Sequence, residues 1–164
     1  KGLIHTDVLL KALLDPAASL REPGMRASHV FLADIPAYPK LLAITDAAVN
    51  IAPDLMAKAA ILQNVIDFMT LIGIKKPKTA VLSAVETVNP LIASSLDAAA
   101  LSVMAQRGQV HGGIVDGPLA FDTGRPAIAG RPARSASCRS RPCAARGRGK
   151  ETQEPHQAAF CLLA

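Results

Sequence analysis

Three short polar clusters follow mostly apolar runs in this chain: Thr45-Asp46 with Asn50, Ser83 with Glu86-Thr87 and Asn89, and Asp116 with Asp122. Carboxylates, hydroxyls and amides in such places do one of two things. They cap helices and satisfy loop backbone, the commonest work of Asp, Asn and Ser, or they converge on a ligand. A fourth group has metal-ligand spacing: Cys138, Cys143, His156 and Cys161 read C-x4-C-x12-H-x4-C, formally the pattern of a small zinc site. A zinc module also needs apolar residues between its ligand pairs. Residues 144–155 supply only Ala144 and Ala145, with Pro155 directly before the histidine. Ligand spacing without core support is weak, so no metal is expected.

The elements that must carry these residues alternate between strand and helix. His5 to Asp15 has the pattern of a short amphipathic helix closed by Pro16. A turn-rich linker around Glu22-Pro23-Gly24 leads to a predicted buried strand from His29 to Ile35. A second strand is predicted from Leu41 to Val49, with Pro36 and Pro39 marking the connection. Pro53-Asp54 then opens a helix, the Asp capping its free N–H groups. Leu55, Ala59, Leu62, Ile66 and Met69 share one face of it, and Gly73 stops it. Lys78 to Val85 is too continuously apolar to alternate between core and solvent, as parallel strands covered on both faces are. Ser94-Ser95 is expected to cap a helix running to about Arg107, with Gly108 past its end. His111 to Val115 is a last short strand delivering Asp116-Gly117-Pro118 at its carboxyl end. Strand, helix, strand, helix, strand predicts an α/β fold with a parallel sheet and right-handed crossovers. Ligands of open α/β sheets bind beyond the carboxyl ends of the strands. All three polar clusters fall there, which favours a shared cleft and names no ligand.

The residues themselves resemble the phosphate acetyl/butyryltransferase family. The resemblance rests on Ser28-His29-Val30-Phe31, on Ile44-Thr45-Asp46-Ala47-Ala48-Val49-Asn50-Ile51-Ala52-Pro53 and on Ser83-Ala84-Val85-Glu86-Thr87-Val88-Asn89-Pro90. It also rests on Gly112-Gly113-Ile114-Val115-Asp116-Gly117-Pro118-Leu119-Ala120-Phe121-Asp122 and the opening Lys1-Gly2-Leu3-Ile4-His5-Thr6-Asp7. These motifs run in order through residues 1–122. They are closest to the branch of butyryltransferases and of bacterial proteins joining an enoyl-CoA hydratase-like domain to a phosphate acetyltransferase domain. The resemblance implies the reaction acyl phosphate plus coenzyme A giving acyl-CoA plus phosphate, and leaves acetyl and butyryl both open. It implies a two-domain fold related to isocitrate and isopropylmalate dehydrogenases, with the active site between domains, usually in a homodimer. Small-molecule substrates (coenzyme A, acyl phosphate, phosphate) are the implied partners, and no cofactor is implied.

Chemically, the coenzyme A thiol must become a thiolate to attack the acyl carbonyl. A carboxylate base and cationic or hydrogen-bonding groups around the phosphate would supply this. In acetyltransferases of the family the proposed base and a neighbouring Ser-Arg pair lie near the C-terminus of the full-length protein, and no matching segment is found here. The catalytic residues are thus unassigned, and the chain is expected to be inactive by itself. Thr45, Asp46, Asn50, Ser83, Glu86, Asp116 and Asp122 are the candidate substrate-binding residues, by position at strand ends. A family arginine proposed to hold phosphate aligns roughly with Lys11, where lysine keeps the charge and loses the planar fork. His5 and His29 are candidate bases or phosphate donors, but a histidine flanking an apolar strand is more often structural.

The chain has 164 residues, 50% of them hydrophobic and 19% charged, enough for one packed domain. With four Phe, one Tyr and no Trp, its core must be built from Ala, Leu, Ile and Val. No uncharged run exceeds ten residues, so no membrane-spanning helix is expected. Residues 1–122 hold ten Lys or Arg against eleven Asp or Glu; residues 123–164 hold eight against two, and all three cysteines. The basic excess therefore lies in 123–164, read as an Arg/Pro/Cys-rich disordered tail resembling an out-of-frame reading of a GC-rich gene. Such a tail could hold nucleic acid electrostatically. It lacks interleaved aromatics for stacking, so a nucleic-acid partner is not favoured. Cys161-Leu162-Leu163-Ala164 fits a prenylation box only by coincidence. Free cysteines suit a cytoplasmic location. A sheet broken off after three or four strands is expected to leave an open edge and an uncovered apolar face.

Overall fold

Helix α2 (Leu55–Leu71) begins and ends where its side chains require. In this computed structural model, which describes residues 3–18, 24–36, 38, 40–46 and 48–121 and the backbone of 159–163, Asp54 Oδ1 accepts from the Ala57 N–H at 2.7 Å. One orphan donor of the first turn is thereby satisfied. At the other end Gly73, at φ +101°, donates to the Thr70 carbonyl, and Ile74 donates to that of Met69, both at 3.0 Å. This paired arrangement needs a left-handed residue, which glycine supplies without strain. Of the predicted stripe, Ala59, Leu62, Ile66 and Met69 are buried and Leu55 is half-buried; Ile61 and Val65 are buried too, so the covered face is broader than one stripe.

The sheet has five strands, β1 (Phe31–Ala33), β2 (Leu42–Thr45), β3 (Lys78–Leu82), β4 (Ile114–Leu119) and β5 (Ala159–Leu163), in the order β1-β2-β5-β3-β4. Strands β2, β5, β3 and β4 are mutually parallel. Helix α3 (Ala93–Gln106) packs on β3 and β4 and against α2, which reaches β2. The main core joins Ala43 and Val81 of the sheet to Leu62, Val65, Ile66 and Met69 of α2 and to Ala98 and Leu101 of α3. On the opposite face a smaller cluster, Ala80, Leu82 and Leu119, packs on Tyr38, as the two-residue alternation of a strand requires. Lys58 of α2 reaches Asp97 of α3 at 2.5 Å, with both side chains largely buried. Helix α1 (Thr6–Leu14) buries no residue and stops at Asp15, before a 3-10 turn at Pro16–Ala18. No helix among the described residues is long and apolar enough to cross a membrane.

The α/β class and the parallel central strands are as expected, and several details differ. Strand β1 is antiparallel to β2, because a parallel pair needs a crossover of about a dozen residues and only residues 34–41 connect them. It is also shorter than His29 to Ile35 and not buried: Phe31 and Leu32 are 52% and 46% exposed. The residue at the N-cap of α3 is Ile92, not Ser94 or Ser95. Strand β4 runs on through Asp116, Gly117 and Pro118; a proline is tolerated there because β4 is an edge strand. The tail read as wholly without strands contributes β5, backbone paired on both sides. Its five residues are apolar and lie beyond the last proline, Pro155. The rest of that tail, with Cys138, Cys143 and His156, lies outside the described residues.

Gly117 explains how closely α3 and β3 approach β4. A Cβ there would lie 2.9 Å from both the Cβ and the carbonyl oxygen of Val81, and 3.4 Å from the Ala98 Cβ. Gly117→Ala is expected to lower stability by about 1–3 kcal/mol, the usual penalty of overpacking, as a reduced urea midpoint. An unchanged midpoint would contradict this packing.

Candidate functional site

Strand β2 ends at Thr45 because the next side chain takes over the backbone. Asp46 Oδ1 accepts from the N–H groups of Ala48 and Val49, each at 3.1 Å, so the chain turns instead of extending to Val49. Its other carboxylate oxygen takes an amide proton of Asn50. Asn50 also donates to the Ala27 carbonyl at 3.0 Å and accepts from the Arg26 guanidinium at 2.9 Å. Buried Thr45 donates to the His29 carbonyl at 2.7 Å. Three of the predicted residues thus form one network, and what they hold is the segment 26–29. Asn64, on α2, completes it by donating to the Arg26 carbonyl at 2.6 Å and to Ser28 Oγ at 3.1 Å.

The negative charge of this network sits on Asp46. Burial raises its carboxyl pKa, but hydrogen bonds from Asn50 and from the backbone of Ala48, Val49 and His29 outweigh burial and leave it lowered. A carboxylate so held is a poor proton acceptor and a good anchor.

Two adjoining clefts open beside the network. One, of about 400 Å³, is lined by Leu14, Gly24, Met25, Arg26, Val49 and Asn50 among others. The other, of about 670 Å³, has apolar walls from Leu10, Leu13, Val30 and Phe68 and polar groups from Arg26, Ser28, His29 and Asn64. His29 packs edge-on against Phe31, with ring centroids 4.4 Å apart, and its buried Nδ1 has no hydrogen-bond partner among the described residues.

The other predicted residues are less gathered. Ser83 follows β3, donates its N–H to the Leu119 carbonyl at 2.9 Å and lies 3.0 Å, hydroxyl to hydroxyl, from Ser94. Asn89 serves its own loop: its N–H donates to Ser95 Oγ and its side chain accepts from the Leu91 N–H. Glu86 and Thr87 are exposed on that loop. Asp116 is exposed within β4, registered against Ala80, and so is not at the carboxyl end where it was expected. Asp122 lies outside the described residues. His5 and Lys11 are exposed on and beside α1, His5 lying 4.0 Å from Asp7. No three His, Cys, Asp or Glu side chains among the described residues gather as a metal site would need. Arg26, Ser28 and Asn64 were not predicted as site residues. Their contacts cross 24 to 38 residues of chain, and no local pattern encodes them.

Two measurements check the network. Asn50→Ala removes the donor to a carboxylate and to a carbonyl, and is expected to cost about 1–3 kcal/mol, the penalty for polar groups left unmatched. Because the folded carboxyl of Asp46 is lowered, its contribution is present above the ordinary Asp value near 4 and is lost as pH falls through the folded value. Asp46→Asn should therefore be less stable than the parent at pH 7, the two curves converging below about pH 4. Parallel curves would contradict the assignment.

The family described as Phosphate acetyl/butaryl transferase matches residues 9–137. The phosphate acetyltransferase of Rhizobium meliloti is 52% identical over 122 residues, covering 74% of this chain and 38% of that protein. The probable phosphate butyryltransferase of Bacillus subtilis is 47% identical over 129 residues, 79% of this chain and 43% of its own length. Across such curated relatives the chain spans between 35% and 43% of their length. Among solved structures, the branched-chain phosphotransacylase of Enterococcus faecalis V583 superposes with a TM-score of 0.68 at 29% identity, over 98% of this chain and 52% of that one. With the fold, the ordered motifs and these matches in agreement, the chain belongs to the phosphate acetyl/butyryltransferase family.

Proposed function

We propose that this chain supplies one wall of a phosphate acyltransferase site, for acyl phosphate plus coenzyme A giving acyl-CoA plus phosphate, and does not turn over by itself. The observation that carries the reading is the family match across residues 9–137, with the Thr45–Asp46–Asn50 network standing inside it at the carboxyl end of β2.

The chemistry divides into holding an anion, holding an apolar arm and taking a proton. The clefts offer the first two. Arg26 brings a guanidinium that is always charged, and Ser28 brings a hydroxyl on the same segment. Leu10, Leu13, Val30 and Phe68 offer apolar wall. The third function is the weak one. A base for the thiol works best with a pKa near the working pH, whereas the carboxyl of Asp46 is pushed the other way. Asp46 is therefore a positioning residue, and the base is sought outside this wall.

A thiol-release assay with acetyl-CoA and phosphate checks this. The expected result is release at the uncatalysed background, the chain covering well under half of its curated relatives. Turnover near that of a full-length relative would contradict it.

A further inference from the structure

Strands β2 and β3 do not pair with each other. Between them lies β5, with Leu42, Ala43, Ile44 and Thr45 registered on one side and Lys78 to Leu82 on the other. The two strands joined by α2 are thus held about 10 Å apart, twice the ordinary strand spacing. Without an occupant, both inner ladders would present unpaired N–H and C=O groups in the middle of the domain, where such groups are costly. With β5 in place, the flanking residues Ala43, Thr45, Ala80 and Val81 are fully or almost fully buried. The occupying residues lie beyond the stretch that matches the family, 9–137, and form an apolar run, Ala158-Ala159-Phe160-Cys161-Leu162-Leu163.

We propose that the gap between β2 and β3 is a strand-accepting site, which takes an extended apolar segment parallel to both, and that its occupant in this chain is the chain's own residues 159–163. Recognition rests on the backbone ladders: the parallel sense and register come from hydrogen bonding, and an apolar segment suits a slot with buried flanks.

Hydrogen exchange on the full chain, read by mass spectrometry, tests this. Amides of 159–163 should exchange at least about a hundredfold more slowly than an unstructured peptide, and open together with those of 42–45 and 78–82. Cys161→Pro, which removes a ladder N–H, should strip protection from all three strands, whereas Cys161→Val should keep it. A synthetic peptide of residues 157–164, added to the Cys161→Pro chain, should restore protection to β2 and β3. Free exchange at 159–163 beside protected β2 and β3 would overturn the proposal, as would an unaffected Cys161→Pro chain or a peptide without effect at saturation. Protection that rises with protein concentration, with a dimer mass in sedimentation, would assign the strand to a second copy and overturn the claim that the chain fills its own gap.

Discussion

Strands β2, β5, β3 and β4 run in one direction, so their carboxyl ends line one edge of the sheet. Direction is the constraint from which the rest follows. It places Thr45 and Asp46 on the same edge as Ser83, although these are separated by a helix of 17 residues. It makes α2 and α3 crossover connections whose apolar faces turn to the sheet. It also makes the central strands read as continuous apolar runs, since both faces of β3 contribute to buried clusters. An antiparallel arrangement of the same strands would scatter these polar groups between two edges.

Along that edge the polar groups serve two purposes. Asn89 and Ser95 spend their hydrogen bonds on the turn leading into α3, the ordinary loop work of such residues. Asp46 and Asn50 do more than end a strand: they tie the segment carrying Arg26, Ser28 and His29 to β2, and Asn64 ties the same segment to α2. A cationic side chain and a hydroxyl are thereby presented beside an apolar cleft. Under the proposed function, holding these groups in advance would reduce the ordering cost of binding a ligand that is part anion and part apolar arm.

Much of this was legible in the sequence where the determinants are local. Asp54 and Gly73 bound α2 as their chemistry dictates, and the apolar run after Lys78 is a buried parallel strand. The Thr45, Asp46 and Asn50 cluster was visible as polar residues after an apolar run, but the predicted strand ran through it to Val49, whereas β2 ends at Thr45. What could not be read depends on neighbours distant in the chain. Pro118 looks like a strand terminator until β4 is known to be an edge, and Ser95 looks like a cap until its hydroxyl is seen bonded to Asn89 and Ile92. The pairing of Lys58 with Asp97 spans 39 residues. Strand β5 sits in a composition that otherwise lacks any periodicity, and only the gap between β2 and β3 gives it a place.

The central claim is that the wall built on Thr45, Asp46 and Asn50 meets the substrates of the family. A residue-resolved nuclear magnetic resonance titration of the chain with coenzyme A, and separately with acetyl phosphate, tests it most directly. Concentration-dependent shifts are expected, confined to residues 26–29, 45–50 and the neighbouring turn of α2 around Asn64. Shifts centred elsewhere, or none at ligand concentrations that saturate a full-length relative, would contradict it.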